Sequence, residues 1–264
     1  HSPAGLAHPP RADLSASTAV GPVCGGSTPG GFFLSKNTIF RNFVEYLPIF
    51  PILIFSIVVH EVAHGLTALK LGDPTARDLG RLTLNPIPHI DLFGSILVPV
   101  MSYLAAGAVF IAWAKPVPVN PMYFKHFRRD DILVSAAGPV SNLIVAIGCA
   151  LLYVVTLKLF GPVQDIPEGF ERTVVGFVNA MFLGGITLNI FLAVFNLIPV
   201  PPLDGSHVLA SLLPAELGNR FRQIGFFGII AILLLMRVEL FRDLILSIVR
   251  GLIVPYRLLI DLLV

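Results

Sequence analysis

From Ile132 to Leu159 the chain runs for 28 residues with a single charged side chain, Lys158. About 20 apolar residues are what a helix needs to cross the roughly 30 Å hydrocarbon core of a bilayer. Inside lipid a backbone must satisfy its own hydrogen bonds, so such a run has few folds open to it besides a helix. Comparable runs recur near 43–71, 173–198, 221–236 and 240–264. Only 13% of the residues are charged, about half the usual share of a soluble domain. These features predict an all-α multi-pass membrane protein with about five spanning helices, and the lipid bilayer as its first partner. The net charge of +2 is scattered between the runs, which speaks against nucleic acid as a partner. Cys24 and Cys149 are read as two unpaired thiols, neither a disulfide framework nor a metal site.

Residues 1–38 are rich in Gly, Pro, Ser, Ala and Thr and lack periodicity. They are predicted to be a disordered tail and do not read as a signal peptide. Residues 39–264 are predicted to form one membrane-embedded domain. Pro48 and Pro51 fall near the start of the first run and Gly72 just after its end, as a helix start and stop should. The segment LGRLTLN (79–85) alternates like a strand, and KPVPVNP (115–121) is kept extended by its prolines; both are predicted to be short membrane-associated strands. Between them, 92–113 is apolar but broken by Gly94, Pro99 and Gly107. A short helix is expected from Ser206 to Leu213.

Within the first run lies His60-Glu61-Val62-Ala63-His64, an H-E-x-x-H pattern. On a helix, residues four apart share a face, so both imidazoles reach one metal ion. Zinc suits nitrogen and oxygen donors, and a catalytic zinc keeps one coordination position open for water, whose pKa it lowers to about 7. Glu61 is offset by one residue and stands where a general base belongs. Ionisable groups in mid-membrane cost about 2.5–3.5 kcal/mol each on insertion scales, so three within five positions need a reason. A catalytic zinc takes three protein ligands. His89, Asp91, Asp204 and His207 are the candidates for the third. Asp204 follows a helix broken by Pro199, Pro201 and Pro202, where a ligand loop belongs; spacing alone barely separates it from His89 and Asp91.

If Asp204 meets the two histidines, the first run and the 173–198 run must end on the same side of the membrane. Three full crossings between them would put Asp204 on the wrong side. A re-entrant 92–113 restores the parity, and its Pro and Gly breaks suit a segment buried in protein. Residues 70–130 then lie on one side with Lys70, Arg77, Arg81, Lys115, Lys125, Arg128 and Arg129, while 158–172 carries only Lys158 and Arg172 beside three acids. The positive-inside rule puts the richer side in the cytoplasm.

HEVAH, LGRLTLNPIPHIDLFGS, WAKPVPVNP, AAGPVSNLIVA and FNLIPVPPLDGSHVL, in that order, resemble the site-2 protease family of intramembrane zinc metalloproteases (peptidase family M50), in its compact bacterial branch without PDZ or CBS domains. The resemblance runs from about residue 47 to 213, the expected catalytic core, with the C-terminal helices 221–264 beyond it. It implies one zinc per chain held by His60, His64 and Asp204, with Glu61 as catalytic acid/base. It also implies active-site support from Asn196 and, in GPVSN, from Asn142, although each could equally bond a neighbouring helix. The chain departs from the family pattern with Leu92 where proline is frequent after His89-Ile90-Asp91, with Ser206 where a second glycine is frequent, and with His207 where arginine is frequent. His89 and His126 are not expected to be ligands.

The expected function is hydrolysis of peptide bonds within or near the transmembrane segment of a protein substrate, with the enzyme in a bacterial inner (plasma) membrane and its site toward the cytoplasm. Strand addition of the unwound substrate to 79–85 or 115–121 is the expected docking mode. The rival readings are a membrane metal transporter, which would need more than one ligand cluster along a path, and a catalytically silent membrane scaffold.

Overall fold

The computed structural model describes residues 47–91, 115–225 and 227–264, with Leu97 as an isolated position. The disordered-tail reading of 1–38 and the re-entrant reading of 92–113 fall outside these residues, Leu97 apart. The described chain is helical and contains no strand. Its α-helices, in order, are α1 (Ile49–Lys70), α2 (Thr75–Asp78), α3 (Phe127–Phe160), α4 (Phe170–Asn196), α5 (Asp204–Leu212), α6 (Ala215–Arg222), α7 (Phe227–Leu235) and α8 (Glu239–Leu263). Of these, α1, α3 and α4 are long and apolar enough to cross a membrane.

The three long helices are inverted relative to a soluble fold. Large apolar side chains point outward, among them Ile54 at 49% and Ile144 at 62% exposure. Polar ones turn inward: Ser56, Asn142 and Asn189 are fully buried. Lipid offers no drive to hide apolar surface, so small residues and interhelical polar bonds set the packing. A Cβ at Gly185 of α4 would stand 2.9 Å from both Ile52 of α1 and Cys149 of α3, so these three helices meet where that side chain is missing. Thr156 of α3 donates to Asn179 of α4 at 2.5 Å. Cys149 is a buried free thiol, in keeping with its sequence reading.

These contacts fix the directions. The start of α1 lies by the second half of α3, while Lys70 at its end lines a cavity of about 300 Å³ with Arg129 near the start of α3. So α1 and α3 are antiparallel, and α4 returns beside α1. The two flanks of the undescribed segment are bonded together at this same end: Lys115 N–H donates to His89 O at 2.9 Å and Asn120 N–H to Asp73 Oδ2 at 2.7 Å.

Two expectations take a different form. LGRLTLN is a turn followed by irregular chain, because the Gly80 and Arg81 amides are spent on Arg77 O and Ala76 O at the end of α2. KPVPVNP is extended with no partner strand among the described residues; its Val117 and Asn120 amides are given to side chains and its Lys115 amide to His89 O. The run 221–236 is divided: α6 and α7 meet at 84°, with Gly225 at φ +49° between them, a conformation glycine adopts without strain. At 1.5 Å per residue the nine residues of α7 extend about 14 Å, too short to span. α8 is long enough, but Glu239, Asp243, Arg250, Arg257 and Asp261 form one charged stripe along it. Another face of α8 buries Ile245 and Val249 in the core shared with α3 and α4.

Candidate metal centre

His60 stands near the middle of α1 and His64 one turn further on, about 15 Å and about 9 Å from its C-terminal end at the rise of an α-helix. Their Nε2 atoms are 3.0 Å apart. Asp204, the first residue of α5, completes a triangle: Oδ2 lies 3.2 Å from His60 Nε2 and Oδ1 3.4 Å from His64 Nε2. Among the described residues this is the one group of three His, Cys, Asp or Glu side chains close enough to share a metal ion.

The local sequence explains how the triangle closes. The chain leaves α4 at Asn196, turns through 197–203 and starts α5 with its backbone against that turn. A Cβ at Gly205 would collide with the Leu197 carbonyl, so only glycine lets Asp204 be presented here. From the other side Gly138 of α3 covers the imidazoles. Its own Cβ would fall 2.6 Å from His60 Nε2 and clash with His64 Nε2.

The donor set fits zinc. Val134 O sits 2.7 Å from His64 Nδ1, which assigns the ring proton to Nδ1 and leaves a lone pair on Nε2; a carbonyl behind the ligating ring is the usual support of a metal-bound histidine. Burial opposes ionisation of Asp204, and the two imidazoles beside it favour the carboxylate. Asp204 Oδ2 and His60 Nδ1 are buried without a hydrogen-bond partner among the described residues. Acceptors converging without enough donors is costly unless a cation sits among them. Three ligands at about 2.0–2.1 Å around a tetrahedral ion stand roughly 3.3–3.4 Å apart, close to the triangle observed.

Glu61 does not join the triangle. Its Oε2 accepts the Val117 backbone N–H at 2.7 Å, beside the histidines and partly exposed. Asn142 lies four residues beyond Gly138 on the same face of α3, fully buried, with neither end of its amide bonded among the described residues. Asn196 is partly buried and gives its amide to Leu192 O of its own helix at 2.9 Å. His89 is buried away from the triangle and bonds Thr83 O at 3.0 Å, so it orients the 83–90 loop. His207 faces Asp131 at 3.8 Å. Gly138, Val134 and Val117 were invisible to sequence reading, the last two because they act through backbone atoms; the adjoining Gly-Pro at 138–139 inside an apolar run was the available signal for the first.

A His–His–Asp triangle carried by the membrane-length helix α1 and the short helix α5, with a carboxylate alongside, defines the class: a membrane-embedded metal-dependent hydrolase. The chain matches Peptidase family M50 over residues 49–236. It is 41% identical over 200 residues to "Putative zinc metalloprotease YwhC" of Bacillus subtilis, covering 74% of this chain and 84% of that protein. It is 28% identical over 202 residues to "Putative zinc metalloprotease Rip2" of Mycolicibacterium smegmatis, covering 72% and 70%, and 30% identical over 180 residues to the Rip2 protein of Mycobacterium tuberculosis, covering 68% and 62%. No solved structure gives a significant match. The chain belongs to peptidase family M50 and is a zinc metalloendopeptidase of the site-2 protease type.

Proposed function

We propose that this protease hydrolyses peptide bonds within or beside the transmembrane segment of a protein substrate, with zinc held by His60, His64 and Asp204 and the proton carried by Glu61. The observation that carries the reading is a donor triangle built on the middle of α1, a helix long and apolar enough to cross a membrane. When bound, zinc supplies Lewis-acid activation of water and of the scissile carbonyl. Glu61 takes a proton at its carboxylate and delivers it to the leaving amine. Asn142, with an unspent buried amide one turn from Gly138, supports the site by offering a donor and an acceptor to bound water or to unwound substrate backbone. Asn196 is assigned the same task through its carbonyl oxygen, its N–H being spent.

A helix keeps its carbonyls in internal bonds, so the substrate has to unwind before cleavage. The amides of Leu82, Thr83 and Leu84 find no acceptor among the described residues. That favours 82–84 over 115–120 as the edge that pairs with an unwound strand. The bond from Lys115 N–H to His89 O supports a placement of both flanks of the undescribed residues on one side of the membrane. The cations of 70–91 and 115–130 then cluster on that side, which favours a cytoplasmic site in a bacterial inner membrane. Replacing Glu61 by Gln tests the reading: the variant retains one zinc per chain and does not cleave. Cleavage at the wild-type rate by E61Q would remove Glu61 from the mechanism.

A further inference from the structure

The partner of Glu61 is not on its own helix. Residues 115–120 cross the face of α1 that carries Glu61 and, one turn later, Gly65. The missing side chain of Gly65 makes the crossing close: a Cβ there would lie 2.8 Å from Val117 Cγ1. Val117 is itself buried, at 6% exposure. Pro116 and Pro118 have no N–H, so Val117 supplies the only backbone donor between Lys115 and Val119. That donor is the one on Glu61 Oε2 at 2.7 Å.

The segment is tied down on both sides of this bond. Ahead of it, Lys115 N–H donates to His89 O at 2.9 Å, and the Arg81 guanidinium donates to Lys115 O at 2.9 Å and Pro116 O at 3.3 Å. Behind it, Asn120 N–H donates to Asp73 Oδ2 at 2.7 Å. Asp73 is fully buried, and its other oxygen accepts the Thr75 N–H at 3.0 Å and the Thr75 hydroxyl at 2.5 Å. A buried carboxylate needs donors of this kind to be tolerated, and here they fix its position.

We propose that residues 115–120 are a positioning strap for the Glu61 carboxylate, with Val117 N–H as the contact and Asp73 as the buried anchor. The inference rests on Glu61 being the proton carrier. An unrestrained glutamate samples several rotamers and loses entropy when ordered. The strap removes that freedom in advance: one carboxylate oxygen is held and the other stays available for the proton. Among the described residues neither Asp73 nor Val117 is hydrogen-bonded to a metal ligand, and the role assigned to both is exercised through Glu61.

The test replaces the Val117 amide by an ester, using the α-hydroxy acid of valine, so that the N–H is lost and every side chain remains. Cleavage is followed with a fluorophore-labelled single-span peptide whose apolar stretch is interrupted by Asn-Gly. The proposal expects unchanged zinc content and KM, with kcat down about 10- to 100-fold, the usual worth of a hydrogen bond to a charged group. Asp73→Asn, which keeps shape but turns an amide toward Asn120 N–H, gives the same split more weakly. Independently of activity, the Val117 amide proton in 15N-valine-labelled protein is protected from exchange, and Glu61→Ala abolishes the protection. Wild-type kcat in the ester variant, loss of its zinc, or an exchange rate indifferent to Glu61→Ala would overturn the strap. E61Q run alongside separates the two ideas. Wild-type cleavage by E61Q removes the Glu61 reading and the strap with it, whereas a dead E61Q beside a fully active ester variant removes the strap alone.

Discussion

Gly138→Ala adds one methyl group directly over the donor triangle. On the present backbone that carbon falls 2.6 Å from His60 Nε2 and from His60 Cε1. The contact with His64 Nε2 is closer still, and ordinary contact begins near 3.4 Å, so the rings or α3 must give by at least about 0.8 Å. Metal sites tolerate ligand displacements of about 0.2 Å, so the shift is borne by the geometry that holds the ion. Disturbing groups that support a metal ligand weakens affinity about 10- to 100-fold, and G138A is expected in that range, with cleavage lowered at least as much. Helix propensity works the other way, since alanine is favoured over glycine in a helix interior by roughly 0.5–1 kcal/mol. Overpacking costs about 1–3 kcal/mol, so net stability falls by up to about 2.5 kcal/mol while zinc binding weakens. Competition for zinc against a chelator in detergent, beside a thermal melt, separates these effects. Wild-type zinc affinity in G138A would refute the claim that Gly138 closes over the ligand atoms.

Other outcomes follow from the same geometry. Arg222 donates to Asp131 at 2.8 Å and to Ser211 at 2.8 Å, and Ser211 donates to Asp131 at 2.6 Å, clamping α5 and α6 to the start of α3. Arg222→Ala leaves a buried carboxylate short of a cation and is expected to cost about 3 kcal/mol, read as a lower melting temperature. Asn142→Leu removes an unbonded buried amide, so it is expected to stabilise the fold by about 1–2 kcal/mol while lowering cleavage; a destabilised or fully active variant would deny Asn142 a role. Gly205→Ala, which sets a Cβ against the Leu197 carbonyl, is expected to displace Asp204 and reduce bound zinc, measured by elemental analysis.

Much of the fold was legible because membrane helices announce themselves by length and lack of charge. The runs read as 43–71, 132–159 and 173–198 correspond to Ile49–Lys70, Phe127–Phe160 and Phe170–Asn196, and the short helix expected from Ser206 starts two residues earlier, at Asp204. The donor triangle was legible as a motif plus an aspartate that the family pattern singled out. What escaped has physical reasons. Apolar content does not register a bend, so the turn at Gly225 within 221–236 went unseen. The count of apolar residues in 240–264 hid a charge spacing that makes α8 amphipathic. Alternation in 79–85 suggested a strand, but hydrogen bonds to the end of α2 decide otherwise. The bond between Val117 and Glu61 is made by a backbone amide, which is the same in every residue type except proline.

The central claim is that two imidazoles and one carboxylate hold a single zinc ion inside the helix bundle. Zinc K-edge X-ray absorption of the purified full-length protein tests it directly. The account predicts one zinc per chain with nitrogen and oxygen neighbours at about 2.0–2.1 Å and the outer scattering of two imidazoles, reduced to one in His64→Ala. A sulfur shell at about 2.3 Å, or an unchanged spectrum in both His64→Ala and Asp204→Ala, would contradict it.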